Sequence, residues 1–273
     1  MKKLVFVSLL ACLFLILGSA QSAEKTTVNL MIDADILRSP NETQEYEAEQ
    51  LLSAMFNEIN GRHAVATIFT CQDVLRAYPR LKITRIGNTP GFELAMSGNH
   101  SIEKLSNESY KTQKKILEDS KEWTEASKYC GINEITANGF MPSSFDQNED
   151  TYKVLDGLGI QYDAGYLAGR IYAPGHQEDT WPYEVRGHNF YAVPISTYDL
   201  SGELVPLQDR YFNDSGLNSS QWYDALTGKF EEAQDSDQPV VIVLTSSVSG
   251  SGSYLDALKE FLDFALSNEA SFV

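Results

Sequence analysis

From Thr27 onward, short β-rich apolar runs alternate with stretches whose apolar positions recur every three or four residues. That alternation reads as strands threaded between amphipathic helices, the pattern of a parallel sheet or barrel with helices outside. Val28 to Asp33 is the first expected strand, carrying apolar residues into an acidic end. Over Thr43 to Asn60, Tyr46, Leu51, Leu52, Met55, Phe56 and Ile59 form one stripe, which predicts a helix buried along that face. His63 to Thr70 is β-branched and aromatic, and a short helical piece from Gln72 to Tyr78 stops at Pro79.

A third apolar run, Phe92 to Met96, ends at Ser97-Gly98-Asn99-His100. A long helix is expected over Asn107 to Tyr129, with Ser106 as its N-cap and Tyr110, Ile116, Leu117 and Trp123 facing the sheet. Ile135 to Met141, a helix over Glu149 to Leu158, and strands at Ile160 to Ala164 and Phe190 to Ser196 follow. Then come a helix over Ser220 to Ala233, the strand Val240 to Leu244 and a last helix over Tyr254 to Leu266. The stretch Arg170 to His188, rich in Pro, Gly, Tyr and Trp181, is a long irregular excursion of the kind that serves as a lid or functional loop. At Phe272-Val273 one more strand is expected to begin, as though the barrel were truncated there.

Seven or eight strand-helix units in about 250 residues fit a β/α barrel better than an open sheet. In such barrels chemistry sits at the carboxyl ends of the strands. The places to search are therefore Asp33-Ala34-Asp35, Asn99-His100, Met141-Pro142 and Leu244-Thr245.

Composition narrows the partners. With 38 acidic against 21 basic residues the formal charge is −17, which repels a phosphate backbone and excludes unassisted nucleic-acid binding. Hydrophobic residues at 42% supply a sizeable core and exclude global disorder. Lys2 and Lys3 followed by the apolar stretch Leu4 to Leu17 and the small residues Gly18, Ser19, Ala20 and Ala23 read as an export signal over residues 1–23. That stretch is shorter than the ~20 residues of a spanning helix, so cleavage leaves no stable membrane span and a secreted or cell-surface product. The mature domain is then residues 24–273, with Cys71 and Cys130 free to form one disulfide. Asn41, Asn99, Asn107, Asn213 and Asn218 each open an Asn-x-Ser/Thr triplet, read either as glycan acceptors or as polar loop residues.

Asp33 and Asp35 alternate at the first strand's end, so one can face the barrel axis for a metal while the other accepts a proton. His100 follows the third strand at the same level. This Asp-x-Asp, then Ser-Gly-Asn-His-Ser, then Lys-Leu-Ser opening a helix, then Gly-Phe-Met-Pro before Gln147-Asn148-Glu149-Asp150-Thr151-Tyr152, resembles the polysaccharide deacetylases, the NodB-homology carbohydrate esterases. The resemblance runs from about Val28 to Val273. It implies a distorted (β/α)7-type barrel that removes N-acetyl or O-acetyl groups from glycans such as chitin or peptidoglycan. It also implies that Asp33 is the catalytic base, that Asp35 and His100 bind a divalent metal such as zinc, and that Pro142 lies by the substrate.

Three positions depart from the family pattern. Lys104 stands where a second metal-binding histidine belongs, and a protonated ammonium is no ligand. Met141 stands where an arginine orients the base, and Thr245 where a histidine acts as general acid. Reduced or lost deacetylase activity follows, with Lys104 expected to neutralise Asp35 in place of the ion. The alternative reading is a non-catalytic glycan-binding or structural cell-envelope barrel. His176 is a weaker candidate substitute ligand, while His63 and His188 read as strand-edge or surface residues. Trp181, Tyr172, Tyr183 and Tyr191 read either as a sugar-stacking wall or as rim packing. Ser249-Gly250-Ser251-Gly252 reads as a flexible turn capping the last helix, since it lacks the lysine of a phosphate loop.

Overall fold

The computed structural model describes residues 25–36, 40–77, 89–125 and 135–273. The export signal expected over residues 1–23 and Cys130 lie outside the described residues.

Seven strands run parallel in the order β10-β1-β2-β3-β4-β5-β7. They are β1 (Thr27–Ala34), β2 (Ala66–Thr70), β3 (Phe92–Met96), β4 (Gly139–Phe140), β5 (Tyr162–Leu167), β7 (Tyr191–Ile195) and β10 (Val240–Thr245). A short β6 (Tyr183–Glu184) returns antiparallel to β7. The sheet curls until its two ends approach. There Ser196 N donates to Val241 O at 3.0 Å and Val241 N donates to Ser196 Oγ at 2.9 Å, so one residue carries most of the closure. The result is a (β/α)7-type barrel opened along one seam.

Strand periodicity sorts the core into two layers. On β1, Val28, Leu30 and Ile32 face outward, and Met31 faces inward with Phe69, Ala95, Met141, Val241 and Val243. The outer layer packs on α1 (Glu42–Gly61), α6 (Ser219–Ser236) and α8 (Gly252–Ser267). In α1 the buried stripe is Ala48, Leu52, Met55 and Ile59, while Tyr46, expected inside, is 61% exposed. Asn41 caps α1 and Asn218 caps α6, each accepting from the backbone N–H three residues on.

Two short helices frame the site, α2 (Gln72–Ala77) after β2 and α7 (Ser246–Ser249) after β10. The long helix α3 (Tyr110–Glu125) starts later than expected: a 3-10 turn, Leu105–Asn107, precedes it, and Ser109 rather than Ser106 bonds into its first turn. Tyr110, expected against the sheet, is 43% exposed. Helix α4 (Glu149–Leu158) ends at Gly159 in the left-handed conformation. The hairpin of β8 (Thr197–Leu200) with β9 (Glu203–Pro206) and the helix α5 (Asp209–Asp214) after it were not expected, nor were β6 and α7, the latter replacing the start of the turn expected at Ser249. The closing strand, β11 (Ser271–Phe272), lies parallel to β1.

Candidate functional site

Because Met31 faces inward, alternation turns Asp33 toward the barrel interior at the carboxyl end of β1. Thr245 is the paired residue on β10, and Met141 enters from the end of β4. A narrow cavity of about 20 Å³ lies between Asp33 and Met141, lined also by His100, Pro142, Phe145 and Gln208. That is room for about one water molecule. The 3-10 turn Ser143–Phe145 forms part of its wall, with Ser144 and Phe145 both left-handed at φ 55° and 57°. Ser143 Oγ donates to Ser101 O at 2.8 Å, tying that turn to the segment that carries His100.

Asp35 continues past the strand end into a second, wider cavity of about 640 Å³, whose lining includes His100, Asp73, Ile102, Arg210 and Ser247. Both carboxylate oxygens of Asp35 are engaged. Oδ1 accepts from Ser246 Oγ at 2.8 Å and Ser247 N at 2.9 Å. Oδ2 accepts from Ser247 Oγ at 2.7 Å and from Arg210 Nη2. His100 lines both cavities, and its Nδ1 lies 2.7 Å from Asp73 Oδ2 in the first turn of α2. A carboxylate on one ring nitrogen fixes the orientation of the imidazole.

The two halves of this arrangement are joined beneath the surface by Asp209. Its carboxylate is fully buried and accepts from Thr245 N at 2.9 and 2.8 Å and from Ser249 Oγ at 2.6 Å. It therefore pins the end of β10 and the short helix α7, which supply the donors to Asp35. Burial pushes the Asp209 carboxyl up to about 6, with the Ser249 and Thr245 donors working against the shift. Burial likewise raises Asp33 to about 7, and the neighbouring Asp35 charge adds to it while Arg210 opposes it. Arg210 is held cationic against the burial that disfavours its charge, chiefly by Asp35 and Asp33.

Asp33, His100, Met141 and Pro142 thus meet in one cavity, and Asp35 shares the adjoining one with His100. Lys104 needs correction: it is exposed, and the cation beside Asp35 is Arg210, delivered by a helix that the strand-helix count overlooked. Trp181 is displaced as well. Its Nε1 donates to Asp237 O, just before β10 begins, at the end of the barrel opposite Thr245 and roughly 16 Å away along the strand. The aromatic wall does not assemble at the mouth, because the excursion turns back along β7: Tyr183 is buried against Tyr166, and Tyr191 pairs with Glu184. His176 stacks on Tyr183 and bonds Asp179 instead of reaching the site. His188, expected at a strand edge or surface, is held by Asp156 at 2.8 Å.

Asp73, Asp209, Arg210, Ser246 and Ser247 join the site without having been expected there. The available signal was a charged pair one residue beyond the apolar run Val205-Pro206-Leu207, and two hydroxyls directly after the apolar strand β10.

The residues present do not fit a divalent ion at Asp35. A zinc site needs free carboxylate, imidazole or thiolate donors about 2 Å from one point, and here the Asp35 oxygens already serve four donors. Among the described residues, no group of three or more His, Cys, Asp or Glu side chains is placed to hold a metal.

No family model and no curated protein sequence matches the chain. Solved structures do. A candidate polysaccharide deacetylase from Mycobacterium smegmatis superposes with a TM-score of 0.69 at 17% identity, over 93% of this chain and 89% of that one. PuuE allantoinase gives 0.69 at 13%, over 93% and 88%. A CE4 family pseudoenzyme from Bacillus anthracis gives 0.53 at 11%, over 91% and 63%. The fold is therefore that of the NodB-type polysaccharide deacetylases, and proteins that carry it include both enzymes and pseudoenzymes.

Proposed function

We propose that this chain is an exported glycan-binding protein with a polysaccharide deacetylase fold. It recognises N-acetylated or O-acetylated cell-surface glycans, and its metal-dependent deacetylase activity is reduced or lost. The observation that carries the reading is the state of Asp35: both oxygens are consumed by Arg210, Ser246 and Ser247, beside a cavity of about 640 Å³. That volume suits a sugar-sized ligand. The Asp33 cavity, at about 20 Å³, holds a water but not an acetyl group.

Several further features support the reading. Met141 offers Asp33 no hydrogen bond, and a threonine hydroxyl at 245 titrates too high to protonate a leaving amine near neutral pH. Loss of one general acid or base costs about 10²–10⁴-fold in rate. The Lys2-Lys3 start and the apolar Leu4 to Leu17 support export. Among the described residues no helix is long and apolar enough to cross a membrane.

Co-sedimentation with insoluble chitin, peptidoglycan and their chemically deacetylated counterparts tests the binding. Retention on the acetylated glycans is expected, and it should weaken on the deacetylated ones. Equal, salt-sensitive retention on every polymer would overturn the glycan reading.

A further inference from the structure

The mismatch between the site and a divalent ion has a specific cause in this chain. Arg210 is fixed where a mobile surface arginine would not be. Its backbone N donates to Asp209 Oδ1 at 2.6 Å, and Asp209 is fully buried and bonded to Thr245 and Ser249. Its guanidinium reaches Asp35 Oδ2 through Nη2, and the Asp35 side chain is only 12% exposed. Ser247 supports the same carboxylate oxygen through its hydroxyl, and Ser246 and Ser247 saturate the other. A guanidinium is always charged, cannot be a ligand and is weakly hydrated, so it tolerates a partly buried ion pair better than an ammonium does.

We propose that Arg210 is a built-in cation that takes the place of a divalent metal at Asp35, making this pocket metal-independent. The guanidinium neutralises the carboxylate that would otherwise need a metal ion, and its fixed positive charge repels a second cation approaching that oxygen. Asp209 is the positioning residue, since it holds both the arginine backbone and the loop that supplies the serine donors. The inference concerns the pocket assigned above to glycans, but it is read on the free protein without any sugar.

The test measures zinc binding to the full chain by calorimetry and by elemental analysis after dialysis. The wild-type protein is expected to retain substoichiometric zinc. Arg210→Gln combined with Lys104→His should tighten zinc binding at least about tenfold, whereas Arg210→Lys with Lys104→His, which keeps the positive charge, should not. Should the glutamine variant fold poorly, Arg210→Ala with Lys104→His replaces it. Stoichiometric zinc in the wild-type chain that is lost in His100→Ala overturns the proposal, as does a neutral variant that folds and gains no zinc affinity. Either result leaves glycan binding itself to be judged by sedimentation, and a failure to bind glycans in turn leaves this inference standing.

Discussion

Arg210 Nη2 donates to Asp35 Oδ2 across 175 positions of sequence, joining the strand that opens the barrel to the helix that follows its outlying hairpin. Asp35 is the side chain that the family resemblance assigns to a metal, and here a guanidinium and three serine donors satisfy it. Removing the arginine leaves that carboxylate beside Asp33 and over the buried Asp209 with no neutralising charge. Arg210→Ala is expected to cost roughly 2 kcal/mol at pH 8, discounted from a fully buried pair because the arginine side chain is 30% exposed. Urea unfolding checks this, and the loss should shrink near pH 5, where Asp33 is protonated.

Asp163 provides a cleaner pH dependence, away from the site. It is fully buried on β5, and burial raises its carboxyl to about 7 while the Gly165 N–H opposes the shift. The folded state therefore holds a proton that the unfolded chain, titrating near 3.8, releases. Its contribution is fully present below about pH 4 and is lost as pH rises through about 7. Asp163→Asn keeps an acceptor for Gly165 and removes the titration. Relative to wild type, the variant should gain a few kcal/mol between pH 5 and pH 8, read as a difference in urea midpoints.

Asn148 holds together the face of the barrel that carries the Ser143–Phe145 turn. Its Oδ1 accepts from Asp150 N and Thr151 N at the start of α4 and from Gln113 on α3, and its Nδ2 donates to Ser106 O. Asn148→Ala should cost about 1–2 kcal/mol in chemical denaturation. Gly159→Ala at the other end of α4 should cost about 1 kcal/mol. Its φ is +68° and an added Cβ meets open space, so the penalty comes from the backbone alone.

Trp181 separates a ligand site at the strand carboxyl ends from one built on the aromatic excursion. It is hydrogen-bonded at the opposite end of the barrel, so Trp181→Ala should leave affinity for acetylated chitin oligomers unchanged, measured by calorimetry. His100→Ala should weaken that affinity, because His100 lines both cavities.

The strand-helix alternation was legible because β1, β2, β3 and β10 each keep an outer apolar face and end in a polar switch, as Ile32-Asp33 and Leu244-Thr245 show. The hairpin escaped notice although it carried a signal. Ser201 and Gly202 sit between alternating runs, and both adopt positive φ, 58° and 90°, as a tight two-residue turn requires. Missing it concealed Asp209 and Arg210 behind it. The α3 start was misplaced because Ser106 and Ser109 are equivalent caps in one dimension, and only packing assigns Ser106 to Asp146. Asp33, Asp35 and His100 were legible as strand-end polar residues. Their partners were not, since Asp73 meets His100 only through the pairing of β2 with β3, and Arg210 meets Asp35 only through the unforeseen helix α5.

Acetate release from N-acetylglucosamine oligomers, followed by NMR while the same oligomers are titrated into the metal-stripped full chain, tests the central claim most directly. The account predicts saturable binding, no acetate above the uncatalysed rate, and no change when zinc or cobalt is added. Acetate release that depends on added metal would contradict it.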